Sequence, residues 1–190
     1  GNRKFIMVQM PEPCDENNEA FKAGYKTIAD IGKERIRRVI KNIEKEKTEK
    51  PDLFDKGNLD LGFKAFKLAS SSFKIWRSQE ITEENLEQQL DAFTNPTRPG
   101  AEKQNMLYEL MLKAGRLLTE KVEYKNHYYA INNGEVVIAL DTINEKLIEQ
   151  IIAAKPQKVI TLDSLFTGND QLKTNTVLQM RDAGVDFKTI

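Results

Sequence analysis

Arg3-Lys-Phe-Ile-Met-Val-Gln-Met-Pro-Glu-Pro13 is the stretch on which the reading of the fold turns. Five residues from Phe5 to Met10 are apolar, with only Gln9 among them. A short apolar run of this kind fits a strand buried on both faces. Pro11 and Pro13 end it, because proline donates nothing to a ladder. Glu12 sits between them, just past the strand's carboxyl end. In open α/β sheets ligands bind there, and an acid at that place commonly holds a ribose hydroxyl pair. The glycine-rich turn that should come one strand earlier is missing. The chain therefore reads as a piece of a larger protein, entered partway through a nucleotide-binding sheet. The plain alternative is an ordinary buried strand with an exposed acid behind it.

The chain has 190 residues, enough for one full domain or two small ones. Lys plus Arg number 29 and Asp plus Glu number 29, so no overall charge draws it to nucleic acid or membrane. Any such binding must come from local clusters. Cys14 is the only cysteine, which excludes an internal disulfide and suits the reducing cytoplasm. His127 is the only histidine, which argues against a Cys/His zinc site and a Ser-His-Asp triad. No apolar run approaches the length of a membrane span, and no metal site is expected.

Beyond the first strand, Glu19 to Asp30 suggests short helical turns, and a longer helix is expected from Gly32 or Lys33. Ile36, Val39, Ile40 and Ile43 make its apolar stripe. Lys33, Arg35, Arg37, Arg38 and Lys41 surround that stripe with positive charge, and Pro51 closes the helix. Gly57 to Gly62 is a turn region, and Phe63 to Leu68 alternates like a half-exposed strand. Phe73 to Trp76 reads as extended. Thr82, Glu83 and Glu84 announce a helix that continues through Leu86, Leu90 and Phe93. Asn95-Pro-Thr-Arg-Pro-Gly100 is the strongest break, so a domain boundary is placed between residues 98 and 99.

Downstream, Leu107, Leu110, Met111 and Ala114 stripe a helix that Gly115 ends. Leu118–Tyr124 and His127–Ile131 read as extended, Asn133-Gly134 as a hairpin turn, and Val136–Leu140 as an apolar strand. A helix over Asn144–Lys155, a strand over Lys158–Leu162, a helix over Gln171–Ala183 and a strand over Val185–Ile190 follow. Strand, helix, strand, helix, strand implies a small α/β domain with a mixed, mainly parallel sheet.

Several blocks resemble one known family in order. Residues 3–13 are similar to the strand after the cofactor-binding glycine loop of type III restriction–modification methyltransferases. Ala23–Arg38, Leu61–Trp76, Leu107–Lys121 and Gln171–Met180 resemble its later blocks and its C-terminal end. The third block often has Asp where this chain has Ala69, so no acid role is assigned there. The resemblance implies the C-terminal part of a modification subunit that methylates adenine N6 in DNA with S-adenosylmethionine. It implies that residues 1–98 complete a Rossmann-like methyltransferase sheet and that residues 99–190 form a small C-terminal domain. It also implies DNA, a second modification subunit and a restriction subunit as partners. The family's catalytic Asp-Pro-Pro-Tyr motif and its glycine loop do not occur in this sequence. No residue is therefore assigned to catalysis, and the isolated chain is expected to be inactive. One residue carries over, Glu12, as the acid for the cofactor's ribose.

The basic cluster of Lys33, Arg35, Arg37, Arg38 and Lys41 is the candidate DNA contact, against the plain reading of a solvated helix face. Asp141 and Asp163 end two parallel strands and read as loop caps, because no third ligand or glycine-rich turn accompanies them. Tyr128 and Tyr129 could stack on bases, although alternation lets only one of them face a given side. His127 reads as an exposed hairpin residue and Cys14 as inert. The rival to an enzyme fragment is a non-enzymatic α/β module for subunit assembly or nucleic-acid contact.

Overall fold

The structure is a computed structural model that describes residues 5–49, 60–75 and 81–190, with the side chains of residues 92 and 93 left out. Expectations that rest on Arg3, Lys4, Pro51, Gly57, Trp76 and the Phe93 side chain fall outside the described residues. The chain divides into two compact units, residues 1–65 and 66–190.

In the first unit, residues 5–10 form no strand. Ile6 and Val8 are 91% and 92% exposed, so the expected buried strand is not formed. A strand buried on both faces needs a neighbour on each side, and no described strand pairs with these residues. Pro13 makes a single antiparallel bridge to Thr27. Helix α1 (Glu19–Lys22) is capped by the Asn18 side chain. Helix α2 (Ile28–Glu49) starts four residues before Gly32, the earlier of the two expected starts. The reason is a capping box that the sequence reading missed. The Asp30 backbone N–H donates to Thr27 Oγ1 at 3.2 Å, and Thr27 N–H donates to Asp30 Oδ2 at 3.2 Å. None of the 22 residues of α2 is buried.

The second unit holds α3 (Leu86–Thr94), α4 (Lys103–Lys113), and strands β1 (Val122–Lys125), β2 (Tyr128–Ile131) and β3 (Val136–Ala139). It continues with α5 (Glu145–Ala153), β4 (Lys158–Thr161), a 3₁₀ turn at Asp163–Phe166, α6 (Asp170–Asp182) and β5 (Asp186–Thr189). The five strands form one mixed sheet in the order β1-β2-β3-β4-β5. The first three are antiparallel, and β3, β4 and β5 are parallel. The α/β class and the mixed sheet stand as the sequence implied, but the sheet is not mainly parallel: two of its four pairings are antiparallel, because the hairpin turns before β2 and β3 reverse the chain. The expected strand over Phe63–Leu68 is absent, and Leu68 is fully exposed. Alternating residues make a strand only where a ladder partner exists, and none of the described strands provides one.

Strand alternation fills both faces of the sheet. Val137, Ala139 and Val159 pack against Leu147, Ile148 and Ile151 of α5 and Met180 of α6. Ile131, Val136, Ile138 and Ile160 pack against Met106, Leu107, Leu110 and Met111 of α4. Local chemistry sets the element ends. Asn144 and Asn169 side chains accept from Leu147 and Leu172 N–H at 2.9 Å, which starts α5 and α6. Gly184, at φ 72°, ends α6, and Val185 N–H returns to Met180 O at 2.9 Å. Asn126 and His127, at φ 45° and 70°, form the two-residue turn between β1 and β2.

The expected boundary at residues 98 and 99 falls inside the second unit. Lys74 N–H donates to Pro96 O at 2.6 Å, and Arg98 N–H donates to Ser72 O at 2.9 Å. These bonds clasp residues 72–74 to 96–98, and Phe73 enters the core beside α4.

Thr161 is fully buried, and its hydroxyl has no hydrogen-bond partner among the described residues. Thr161→Val keeps the shape and removes that desolvated group, so stability should rise by about 1–2 kcal/mol. Urea melts of the two proteins measure it, and a loss of stability would show that the hydroxyl is satisfied.

Candidate functional site

Glu12 lies on a backbone fixed from both sides. Its N–H donates to Met10 O at 2.8 Å, and its carbonyl accepts from Ile28 N–H at 3.1 Å, next to the start of α2. Cys14, half-buried, extends the contact through its N–H to Lys26 O at 2.9 Å. The Glu12 side chain is exposed, and its carboxylate has no partner among the described residues. It is thus available to accept from a pair of hydroxyls.

The basic cluster of α2 is partly neutralised. Lys33 pairs with Asp30 at 2.7 Å, and Arg38 with Glu34 at 3.0 Å. Arg38 also donates to Tyr25 Oη at 3.4 Å, and both Glu34 and Tyr25 raise its pKa. Arg37 reaches Glu34 at 4.0 Å and lies 6.0 Å from the Phe63 ring centroid. Arg35 and Lys41 are exposed and have no ion pair among the described residues.

In the second unit, Asp141 follows β3 and gathers side chains from two other elements. It pairs with Lys103 of α4 and accepts from Tyr124 Oη of β1 at 2.7 Å. Lys103 holds the Asp141 carboxyl below the usual aspartate range, and Asp141 in turn raises Lys103 and Tyr124. Asp141 is therefore a tie between the sheet and α4 and not a simple loop cap. Asp163 pairs with Lys173 at 2.7 Å. Tyr128 is buried against α5 and α6, while Tyr129 lies on the α4 face, 4.9 Å from the Tyr124 ring. His127 is exposed in its hairpin turn. Among the described residues no His/Cys/Asp/Glu cluster could hold a metal ion, and no helix is long and apolar enough to cross a membrane.

Glu109 of α4 escaped the sequence reading, because its partners are 37 and 38 residues away. Its carboxylate accepts from Ser71 Oγ and from Ser72 N–H, the latter at 2.7 Å, and pairs with Lys113 at 3.0 Å. Burial pushes its pKa up, but the bonds from Ser71, Ser72 and Lys113 outweigh that and leave it lowered. A lowered folded value means that this tie is complete above the ordinary glutamate pKa and is lost as pH falls through the folded value. Acid should therefore loosen residues 71–74. Glu109→Gln should flatten the pH dependence of stability on the acid side, as read by melting temperature from about pH 6 to pH 3. An unchanged pH slope would exclude Glu109 as the source.

No protein-family model matches the chain. The chain is similar to the type III restriction-modification enzyme EcoP15I Mod subunit of Escherichia coli, with 29% identity over 187 residues. That match covers 93% of this chain, which spans only 26% of the length of the relative. The likeness to a type III restriction–modification subunit, carried in the sequence by ordered blocks from residues 3–13 to 171–180, thus runs along nearly all of the chain.

Proposed function

We propose that this chain is the C-terminal part of a site-specific DNA adenine-N6 methyltransferase, the modification subunit of a type III restriction–modification system. The match along 93% of the chain to a Mod subunit carries the reading. Two uncovered segments support it. Residues 5–10 and 63–68 have the composition of sheet strands, lack ladders among the described residues, and leave Ile6, Val8 and Leu68 in solvent. Such segments suit a Rossmann-like sheet whose other strands come from the rest of the polypeptide.

In this reading Glu12 accepts from the ribose hydroxyls of S-adenosylmethionine. Its carboxylate, exposed and without a partner among the described residues, fits that task, and the cofactor supplies the methyl group. Residues 1–98 then belong to the methyltransferase domain with its connecting helices, and residues 99–190 form the C-terminal domain, with Phe73 fastening one to the other. The filled faces of the five-stranded sheet suit a scaffold for protein contacts, with a restriction subunit and a second modification subunit as partners and DNA held through the full-length protein. The isolated chain, without an Asp-Pro-Pro-Tyr motif or a glycine loop, transfers no methyl group. The test is the gene upstream of Gly1. A Phe-x-Gly-x-Gly loop shortly before it, with Asp-Pro-Pro-Tyr further upstream, supports the reading, and an unrelated upstream sequence removes it.

A further inference from the structure

A carboxylate that serves a pair of hydroxyls must be held where they lie, so what fixes the Glu12 backbone matters as much as Glu12 itself. Pro11 and Pro13 flank it and have no N–H to give. The segment is tied instead to the start of α2. Ile28 N–H donates to Glu12 O at 3.1 Å, and Cys14 N–H donates to Lys26 O at 2.9 Å. Pro13 bridges Thr27 between these bonds. Ile28 is the first residue of α2, so its N–H has no acceptor inside the helix. That amide points at Glu12 only while the chain turns into the helix at Thr27.

Asp30 enforces that turn. Its Oδ2 accepts from Thr27 N–H at 3.2 Å and from Thr27 Oγ1 at 2.8 Å. Its own N–H donates back to Thr27 Oγ1 at 3.2 Å, and Lys33 holds its Oδ1 at 2.7 Å. These bonds fix the chain on both sides of the Ile28 amide. We propose that Asp30 is a positioning residue for cofactor binding. Through Thr27 and Ile28 it sets the backbone of Glu12, and so the place of the carboxylate that takes the ribose hydroxyls. Lys33 and Thr27 hold the Asp30 carboxyl down to about 2, so it is charged throughout the neutral range. This role rests on the S-adenosylmethionine reading above, and the two can fail separately.

Titration calorimetry of the full-length protein with two ligands is the experiment, S-adenosylmethionine and its dideoxyribose analogue, which lacks both hydroxyls. The wild type should prefer the natural cofactor, because the analogue leaves Glu12 nothing to accept from. Asp30→Ala should bind S-adenosylmethionine about tenfold more weakly and the analogue as the wild type does. Asp30→Glu, which places the usual capping-box acid there, should keep wild-type affinity for both. Thr27→Ala removes the hydroxyl and leaves the carboxylate. It should show the same selective loss, and it decides the matter where Asp30→Ala fails to fold. In a Glu12→Ala background, Asp30→Ala should cost nothing further, since the two act through one contact. An equal loss for both ligands, or an additive loss in that background, makes Asp30 a helix cap alone and overturns the proposal. Unchanged affinity in a folded Asp30→Ala overturns it too. A wild type that binds both ligands alike sinks the ribose role of Glu12 and the role of Asp30 with it, and one that binds neither sinks the methyltransferase reading.

Discussion

Phe73→Ala should destabilise the second unit by about 3–5 kcal/mol and lower its melting temperature by roughly 10–20 °C. Phe73 is 3% exposed and fills the core that Met106, Leu110, Met111 and Ile138 share. Its removal leaves a cavity that the close-packed layer of α4 and the sheet cannot fill. The Lys113 ammonium, 4.6 Å from the ring centroid, also loses its aromatic partner. Limited proteolysis gives a second readout. In the wild type the clasp of residues 72–74 with 96–98 protects the Asn95–Gly100 stretch, and the resistant core should include Phe73. In the variant, cleavage should move to Asn95–Gly100. A cost below about 1 kcal/mol, or a wild-type core that begins near residue 100, would show that Phe73 is not an anchor.

In the full-length protein, Glu12→Ala should weaken S-adenosylmethionine binding roughly ten- to hundredfold without unfolding the chain. A charged hydrogen bond to a hydroxyl is worth about 1.5–3 kcal/mol. Glu12 is exposed, and its backbone bonds to Met10 and Ile28 survive the substitution, so the fold has no reason to change. Glu12→Gln keeps an acceptor without the charge and should fall between the two. Titration calorimetry measures all three. Unchanged affinity for Glu12→Ala removes the residue from the site.

The second unit was the legible part of the sequence. Asn144, Gly115 and Gly184 are local signals that place ends of α5, α4 and α6, while the Asn169 cap of α6 was not read from the sequence. Strand β3 is buried at every residue and β4 at every residue after Lys158, and their buried cores read as short apolar runs. The segments before residue 69 misled, because composition reports what a segment needs and not whether its neighbours are present. Residues 5–10 and 63–68 look like strands, but a strand is made by its ladder. The capping box of Thr27 and Asp30 was readable and was missed, since Asp stands where Glu or Gln is usual. The candidate site was legible only as single residues. Glu12 could be named from its place after the apolar run. The ties of Glu109 to Ser71 and Ser72, and of Asp141 to Lys103 and Tyr124, join residues 17 to 38 apart with no motif to mark them.

The most direct test of the methyltransferase reading is methyl transfer by the full-length protein. It is incubated with methyl-labelled S-adenosylmethionine and unmodified duplex DNA, and the labelled base is identified after digestion. The account predicts label on adenine N6 at one short site with the full-length protein, and none above background with residues 1–190 alone. No transfer by the full-length protein, label on another base, or transfer by the isolated chain would contradict it.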